Sequence, residues 1–197
     1  MKGSYGGNPQ TRGQLAAADE ERTLARLRAL RSDLFDPTIA LHHGRVVKRT
    51  GDGVLIEFRS VVDAVRCAIE VQNGMVERNA GLPPERRIEL RVGIHLGDVV
   101  EESDGDLMGD GVNIAARLEG IADPGGICLS EDAYRQVRDR LKEEFIDLGE
   151  TELKNIARPA GVCNQHYGTF NAACFRTRKG GSATPVPRGL TIRQSRR

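Results

Sequence analysis

The stretch RVVKRTGDGVLIEF, Arg45–Phe58, reads as a β-hairpin. Two apolar-rich runs flank Thr50-Gly51-Asp52-Gly53, and Asp-Gly is a strong signal for a tight turn. Lys48 and Asp52 bracket that turn with opposite charges, four residues apart. A solvated turn with an incidental ion pair accounts for them, and so does a site that handles a charged substrate.

Working outward, the same alternation of helix and hairpin recurs. Before the hairpin, Leu24, Leu27, Leu30 and Leu34 recur at three- and four-residue steps, the spacing of a buried helical stripe. Asp19 can cap this helix, Pro37 kinks or restarts it, and Gly44 stops it. After the hairpin, Ser60 caps a second helix whose buried face carries Val61, Ala64, Ala68, Val71 and Met75. Ile88, Leu90, Val92, Ile94 and Leu96 then alternate with polar or small residues, which predicts a half-buried strand over Arg87–Leu96. Gly97-Asp98 turns the chain into a second strand, Val99–Glu101. The acidic, Gly-rich loop Glu102–Gly111 leads into a third helix, Val112–Ala122, with Asp110 as its cap. A short strand Gly126–Leu129, a helix opened by Ser130 and a strand near Phe145–Leu148 follow. These elements predict an α+β fold, a mostly antiparallel sheet with helices packed on it.

Composition narrows the function classes. The 197 residues suffice for one domain with a real core; 39% are hydrophobic and 29% charged, with a formal net charge of +1. No global field points to nucleic acid or membrane. No apolar run approaches the ~20 residues of a membrane span, and no apolar segment marks a signal peptide. Cys67 and Cys128 lie inside apolar patterns as buried thiols, which fits a cytoplasmic location. The stretch before Asp19, residues 1–18, reads as flexible. Residues 169–197 hold Arg and Lys but no Asp or Glu, and read as a basic, disordered tail. As a nucleic-acid or membrane anchor this tail is weak, because its charges are diluted by Gly, Pro and Ser.

Taken singly, the polar residues of the chain favour ordinary explanations. Asn113 and Arg117 are one helical turn apart, so an amide and a guanidinium share a face that could grip an anion or could simply be solvated. Asp104, Asp106 and Asp110 lack the spacing of an EF-hand loop. Lys154, in ELKNI, could be a surface lysine.

Taken in order, VVKRTGDGVLIEF, LRVGIHLGDVV, GDLMGDGVNIAARLEGIADPGGICLS and LGETELKNIARP resemble the class III nucleotide cyclase catalytic domain, closest to the rhizobial type of bacterial adenylate cyclase. The likeness covers residues 19–159, and the domain is taken as residues 19–168. It implies a ferredoxin-like α+β unit that works as a homodimer in the cytoplasm and converts ATP to 3′,5′-cyclic AMP and pyrophosphate. It implies Mg²⁺ or Mn²⁺ at a two-ion site, with Asp52 as one metal ligand. It makes Lys48 and Asp106 the residues that contact adenine, Asn113 the one that orients the ribose, Arg117 the one that stabilises charge on the α-phosphate, and Lys154 the one that binds the terminal phosphates. Two features depart from the family. Residues 1–18 carry no first strand with its aspartate, the family's other metal ligand beside the one that Asp52 matches, and AGVCNQHYG replaces the apolar alternation of the last strand. The sequence therefore supports an adenylate cyclase and, as the alternative, a cyclase-like nucleotide-binding or regulatory domain without turnover.

Overall fold

The computed structural model describes residues 21–50, 53–147, 160–162 and 190–194. The chain forms two compact units, Met1–Pro37 and Thr38–Arg197. Proline at position 37 lacks a backbone donor and crowds the turn before it, and the helix adjusts upstream. Helix α1 (residues 21–30) widens into a π-turn at Arg31–Phe35, where the Asp36 N–H donates to the Arg31 carbonyl. It resumes as α2 (Asp36–Leu41). Leu27, Leu30 and Leu34 of the expected stripe are buried, whereas Leu24 is exposed.

The end of α2 differs in detail from the sequence expectation. His43 and Gly44 donate to the Ala40 and Ile39 carbonyls at 3.0 and 2.8 Å, a Schellman closure. The left-handed residue is His43, with φ 58°, not Gly44. Gly44 serves packing instead, because a Cβ there would stand 2.7 Å from the Phe58 ring and 2.8 Å from Ile39.

The sheet is built around a strand–helix–strand unit. Strand β1 (Arg45–Thr50) pairs antiparallel with β2 (Gly53–Phe58), as the turn signal predicts. The Ser60 hydroxyl accepts from the Asp63 N–H and opens α3 (Val61–Asn79), whose Val61, Ala64, Ala68, Val71 and Met75 are all buried. The chain returns through a 3₁₀ turn, Pro84–Arg86, into β3 (Val92–Leu96). This strand is shorter than its alternation suggests. Ile88 and Leu90 are buried, but their backbone groups are satisfied by side chains. The Asn79 amide both donates to the Ile88 carbonyl and accepts from its N–H, and the buried Gln72 amide donates to the Leu90 carbonyl. A segment whose main chain bonds to amide side chains keeps its burial pattern without becoming part of a ladder.

Beyond β3, a two-stranded ribbon of β4 (Val100–Glu101) and β5 (Leu107–Met108) stands apart from the main sheet. It leads into α4 (Asp110–Ile121). The expected Asp110 cap is absent: Gly109, at φ 124°, occupies the cap position, and Asp110 sits in the first turn, where its charge still suits the helix dipole. Strand β6 (Ile127–Leu129), helix α5 (Glu131–Val137, capped by Ser130), and strands β7 (Phe145–Asp147), β8 (Ala160–Val162) and β9 (Leu190–Gln194) complete the described residues.

The main sheet runs β1-β2-β9-β3-β6-β8-β7. Its flanking pairs are antiparallel, but β9 is parallel to both β2 and β3, and β3 is parallel to β6. The sheet is therefore mixed at its centre. Crossover α3 carries the chain from β2 to β3 past one strand position, and β9 fills it, with Ile192 opposite both Ile56 and Ile94. Residues 190–194 thus belong to the fold rather than to a disordered tail; the expectations for residues 1–18, Lys154 and the remainder of the tail lie outside the described residues. The core is formed by Ile56, Phe58, Val65, Val71, Met75, Val92, Ile94, Leu118 and Leu129, all essentially inaccessible.

Candidate active site

Strand β1 carries a β-bulge between Val46 and Lys48. Arg45 stands opposite Glu57 and Val46 opposite Ile56, but Leu55 faces Lys48, leaving Val47 as the extra residue. The bulge changes the phase of the strand, so Arg45 and Lys48 turn to one side. The turn that follows, with Asp52, lies outside the described residues.

The β4–β5 ribbon is closed by its own backbone. Glu102 donates to the Asp106 carbonyl at 2.9 Å, and Gly105, at φ 83°, donates to the Glu102 carbonyl at 2.9 Å. Within this loop the Asp104 carboxylate accepts from the Asp106 N–H at 3.0 Å. One oxygen of Asp106 accepts from the Leu107 N–H at 3.0 Å. The other oxygen, Oδ2, pairs with Lys48 Nζ. Two residues that the sequence separates by 58 positions thus meet as an ion pair. The Lys48 hydrogen bond, joined by that from the Leu107 N–H, holds the Asp106 carboxyl below its ordinary range; the Asp106 hydrogen bond and charge raise the Lys48 ammonium. Both groups are charged at neutral pH.

Helix α4 begins two residues after β5 and touches it. Asn113 is exposed and Arg117 half-buried, one turn along the same helix. The helix is held unusually close to β3. A Cβ on Gly93 would lie 2.2 Å from the Ala115 carbonyl oxygen and 2.4 Å from the Glu119 nitrogen. On its other flank, Leu118 and Ala122 pack with Cys128 of β6, beside Ile114 and Ile121. A backbone-closed ribbon and a closely docked helix therefore carry Asp106, Asn113 and Arg117 in succession.

Sequence reasoning missed three charged residues here. Arg45 donates through Nε to Glu57 Oε2 at 2.9 Å and pairs through Nη1 with Glu101 Oε1 at 3.0 Å. The Arg45–Glu57 partnership was legible in the hairpin register; that with Glu101 was not, since nothing local connects β1 to β4.

The described residues contain no group of three or more His, Cys, Asp and Glu side chains arranged to hold a metal ion. Asp52, the expected metal ligand, and Lys154 both lie outside the described residues.

Comparison with known proteins gives a consistent result. Residues 14–170 match the family model described as the adenylate and guanylate cyclase catalytic domain. The chain is 48% identical over 149 residues to the Rhizobium meliloti (strain 1021) protein named "Putative adenylate cyclase 3", covering 76% of this chain and 25% of that one. It is 34% identical over 143 residues to adenylate cyclase 1 of the same organism, covering 62% of this chain and 21% of that one. The chain thus spans about a quarter of the length of these curated relatives. Among solved structures, the adenylate/guanylate cyclase/hydrolase from Silicibacter pomeroyi superposes with a TM-score of 0.67 at 46% identity, covering 73% of this chain and 84% of that one. An adenylate cyclase from Trypanosoma brucei, in its monomeric state, shares the fold with a TM-score of 0.62 at 24% identity, covering 76% of this chain and 84% of that one.

Proposed function

Because the chain belongs to the adenylate and guanylate cyclase catalytic domain family, we propose that it is an adenylate cyclase, converting ATP to 3′,5′-cyclic AMP and pyrophosphate as a homodimer. The observation that carries the choice of ATP is the Lys48–Asp106 ion pair. Adenine offers an amino donor beside a ring-nitrogen acceptor. An aspartate oxygen can take the amino N–H, while a lysine ammonium, with three donors, can keep its aspartate and still donate to the ring nitrogen. Guanine presents a carbonyl oxygen where adenine has its amino group, and Asp106 would repel it.

In this reading Asn113 orients the ribose, Arg117 stabilises charge developing on the α-phosphate, and Lys154 holds the terminal phosphates. Asp52 is the carboxylate ligand of Mg²⁺ or Mn²⁺, and the ion supplies Lewis-acid stabilisation of the phosphate when bound. The test is direct: purified protein is incubated with Mn²⁺ and either ATP or GTP, and cyclic nucleotide and pyrophosphate are measured. Cyclic AMP from ATP, in excess over cyclic GMP from GTP, is expected. A second reading, nucleotide binding without turnover, is favoured by the central strand Leu-Thr-Ile-Arg-Gln, which contains no carboxylate. ATP binding with no cyclic AMP would select it, and a family-type first strand with its aspartate should then restore turnover.

A further inference from the structure

The β4–β5 ribbon has only two residues in each strand and pairs with no other strand among the described residues. A ribbon this short is not stable by itself, so its orientation depends on ties to the body. Two ion pairs connect it to β1: Glu101 to Arg45, and Asp106 to Lys48. The buried Leu107 and the contact with α4 hold the β5 end, and a single ion pair would add one further point. Two, one at β4 and one beside β5, fix its direction relative to β1.

Arg45 is suited to the second tie. Its guanidinium is planar and grips a different carboxylate on each edge, Glu57 through Nε and Nη2 and Glu101 through Nη1. Glu57 lies in β2, directly across the ladder, and only 17% of its side chain is exposed, so one edge is anchored in the sheet. The bulge at Val47 completes the arrangement. In a regular strand, residues three apart face opposite sides; the extra residue lets Arg45 and Lys48 reach the same ribbon.

We propose that Arg45 is a positioning residue for purine selection: by holding Glu101 against Glu57 it orients the β4–β5 ribbon so that the Asp106 carboxylate meets Lys48. The proposal rests on the reading of Lys48 and Asp106 as the adenine-contacting pair. Both ends of the Arg45–Glu101 bridge are largely exposed, so the bridge adds little to global stability. Its effect is on geometry.

The test uses the full chain with Glu101→Gln, following the Asp106 carboxyl by carbon NMR across acid pH. Two effects oppose each other. Removing the Glu101 charge alone would lower the Asp106 midpoint, by relieving like-charge repulsion. Losing Lys48 as a partner would raise it. A rise towards the ordinary carboxylate range is expected, with little change in the thermal midpoint; an unchanged or lowered Asp106 midpoint overturns the proposal. Arg45→Lys, which keeps the charge and loses the two-edged fork, should raise the midpoint in the same direction, and serves if Glu101→Gln does not fold. In both variants KM for ATP should rise, with kcat little altered, so that the preference for ATP over GTP falls by roughly tenfold, the scale of one hydrogen bond. A wild-type chain that turns over neither nucleotide would sink the cyclase reading, while the titration would still decide whether Arg45 orients the ribbon.

Discussion

Lys48 and Asp106 are paired with each other; on the proposed reading of the two as the adenine-contacting pair, that contact fixes the edge that meets the base. Reversing the charge at one member should then do more than weaken binding. Lys48→Glu places two carboxylates side by side, and the expected result is loss of the preference for ATP over GTP, read as the ratio of kcat/KM for the two nucleotides. On the same proposed reading, Arg117→Ala should act on the chemical step instead. Its kcat should fall by roughly 10²–10³, with a smaller effect on KM. Asp52→Ala should abolish metal-dependent turnover while circular dichroism remains that of the wild type; full activity in this variant would overturn Asp52 as the metal ligand. Away from the site, burial pushes the Cys67 and Cys128 thiols up to about 12. Unfolded thiols ionise near 9.0, so the native state favours the protonated form. Stability from this source is complete below about 9 and is lost as pH rises from there through about 12. Alkaline denaturation followed by circular dichroism should show that loss, and Cys67→Ala should reduce its pH dependence.

At the scale of elements, helix α4 depends on a single missing side chain. Gly93 is buried in the centre of β3, and its φ is not positive, so the backbone does not require glycine there; the Ala115 and Glu119 backbone does. Gly93→Ala must push α4 outward, because the obstructing atoms belong to a helix backbone that cannot rotate aside. Overpacking of this kind costs about 1–3 kcal/mol. The expected outcome is a lowered thermal midpoint together with a fall in kcat, since Asn113 and Arg117 ride on the displaced helix. The elements themselves were readable where their signals are local. Ser60 and Ser130 open their helices, each hydroxyl accepting a backbone N–H three residues on. Strand β1 pairs with β2 through to Thr50 and Gly53, in keeping with the Asp-Gly signal between them. Strand β3 is shorter than its alternation predicts because alternation reports burial, and Ile88 and Leu90 are buried without pairing in the ladder; the amides of Gln72 and Asn79 take their backbone groups instead.

For the molecule as a whole, the most consequential element is β9. It lies between β2 and β3 and pairs with both along all five of its residues. Truncation after Gly189 would leave the facing edges of β2 and β3 without these ladders. The expected result is loss of the cooperative thermal transition, with increased binding of a dye that reports exposed apolar surface. A truncated chain that unfolds as cooperatively as the full one, at the same midpoint, would show that β9 adds nothing to the sheet. Leu190 and Ile192 do alternate with Thr191 and Arg193, which is a strand period. That signal is five residues long, within a basic stretch rich in Gly, Pro and Ser, and composition outweighed it.

By itself, the sequence determined the local elements and the family: helical stripes, capping serines, the Asp-Gly turn, and the ordered motifs that make Lys48, Asp106, Asn113 and Arg117 candidates. Each follows from interactions between residues close along the chain or from a pattern carried whole by the sequence. Tertiary structure alone decided what meets what. It brought Lys48 to Asp106 and Arg45 to Glu101 across a bulge, docked α4 on Gly93, and placed the strand at residues 190–194 in the middle of the sheet. These are pairings between distant segments. Their partners are chosen by the shape and burial of the whole fold, which no short window of sequence contains.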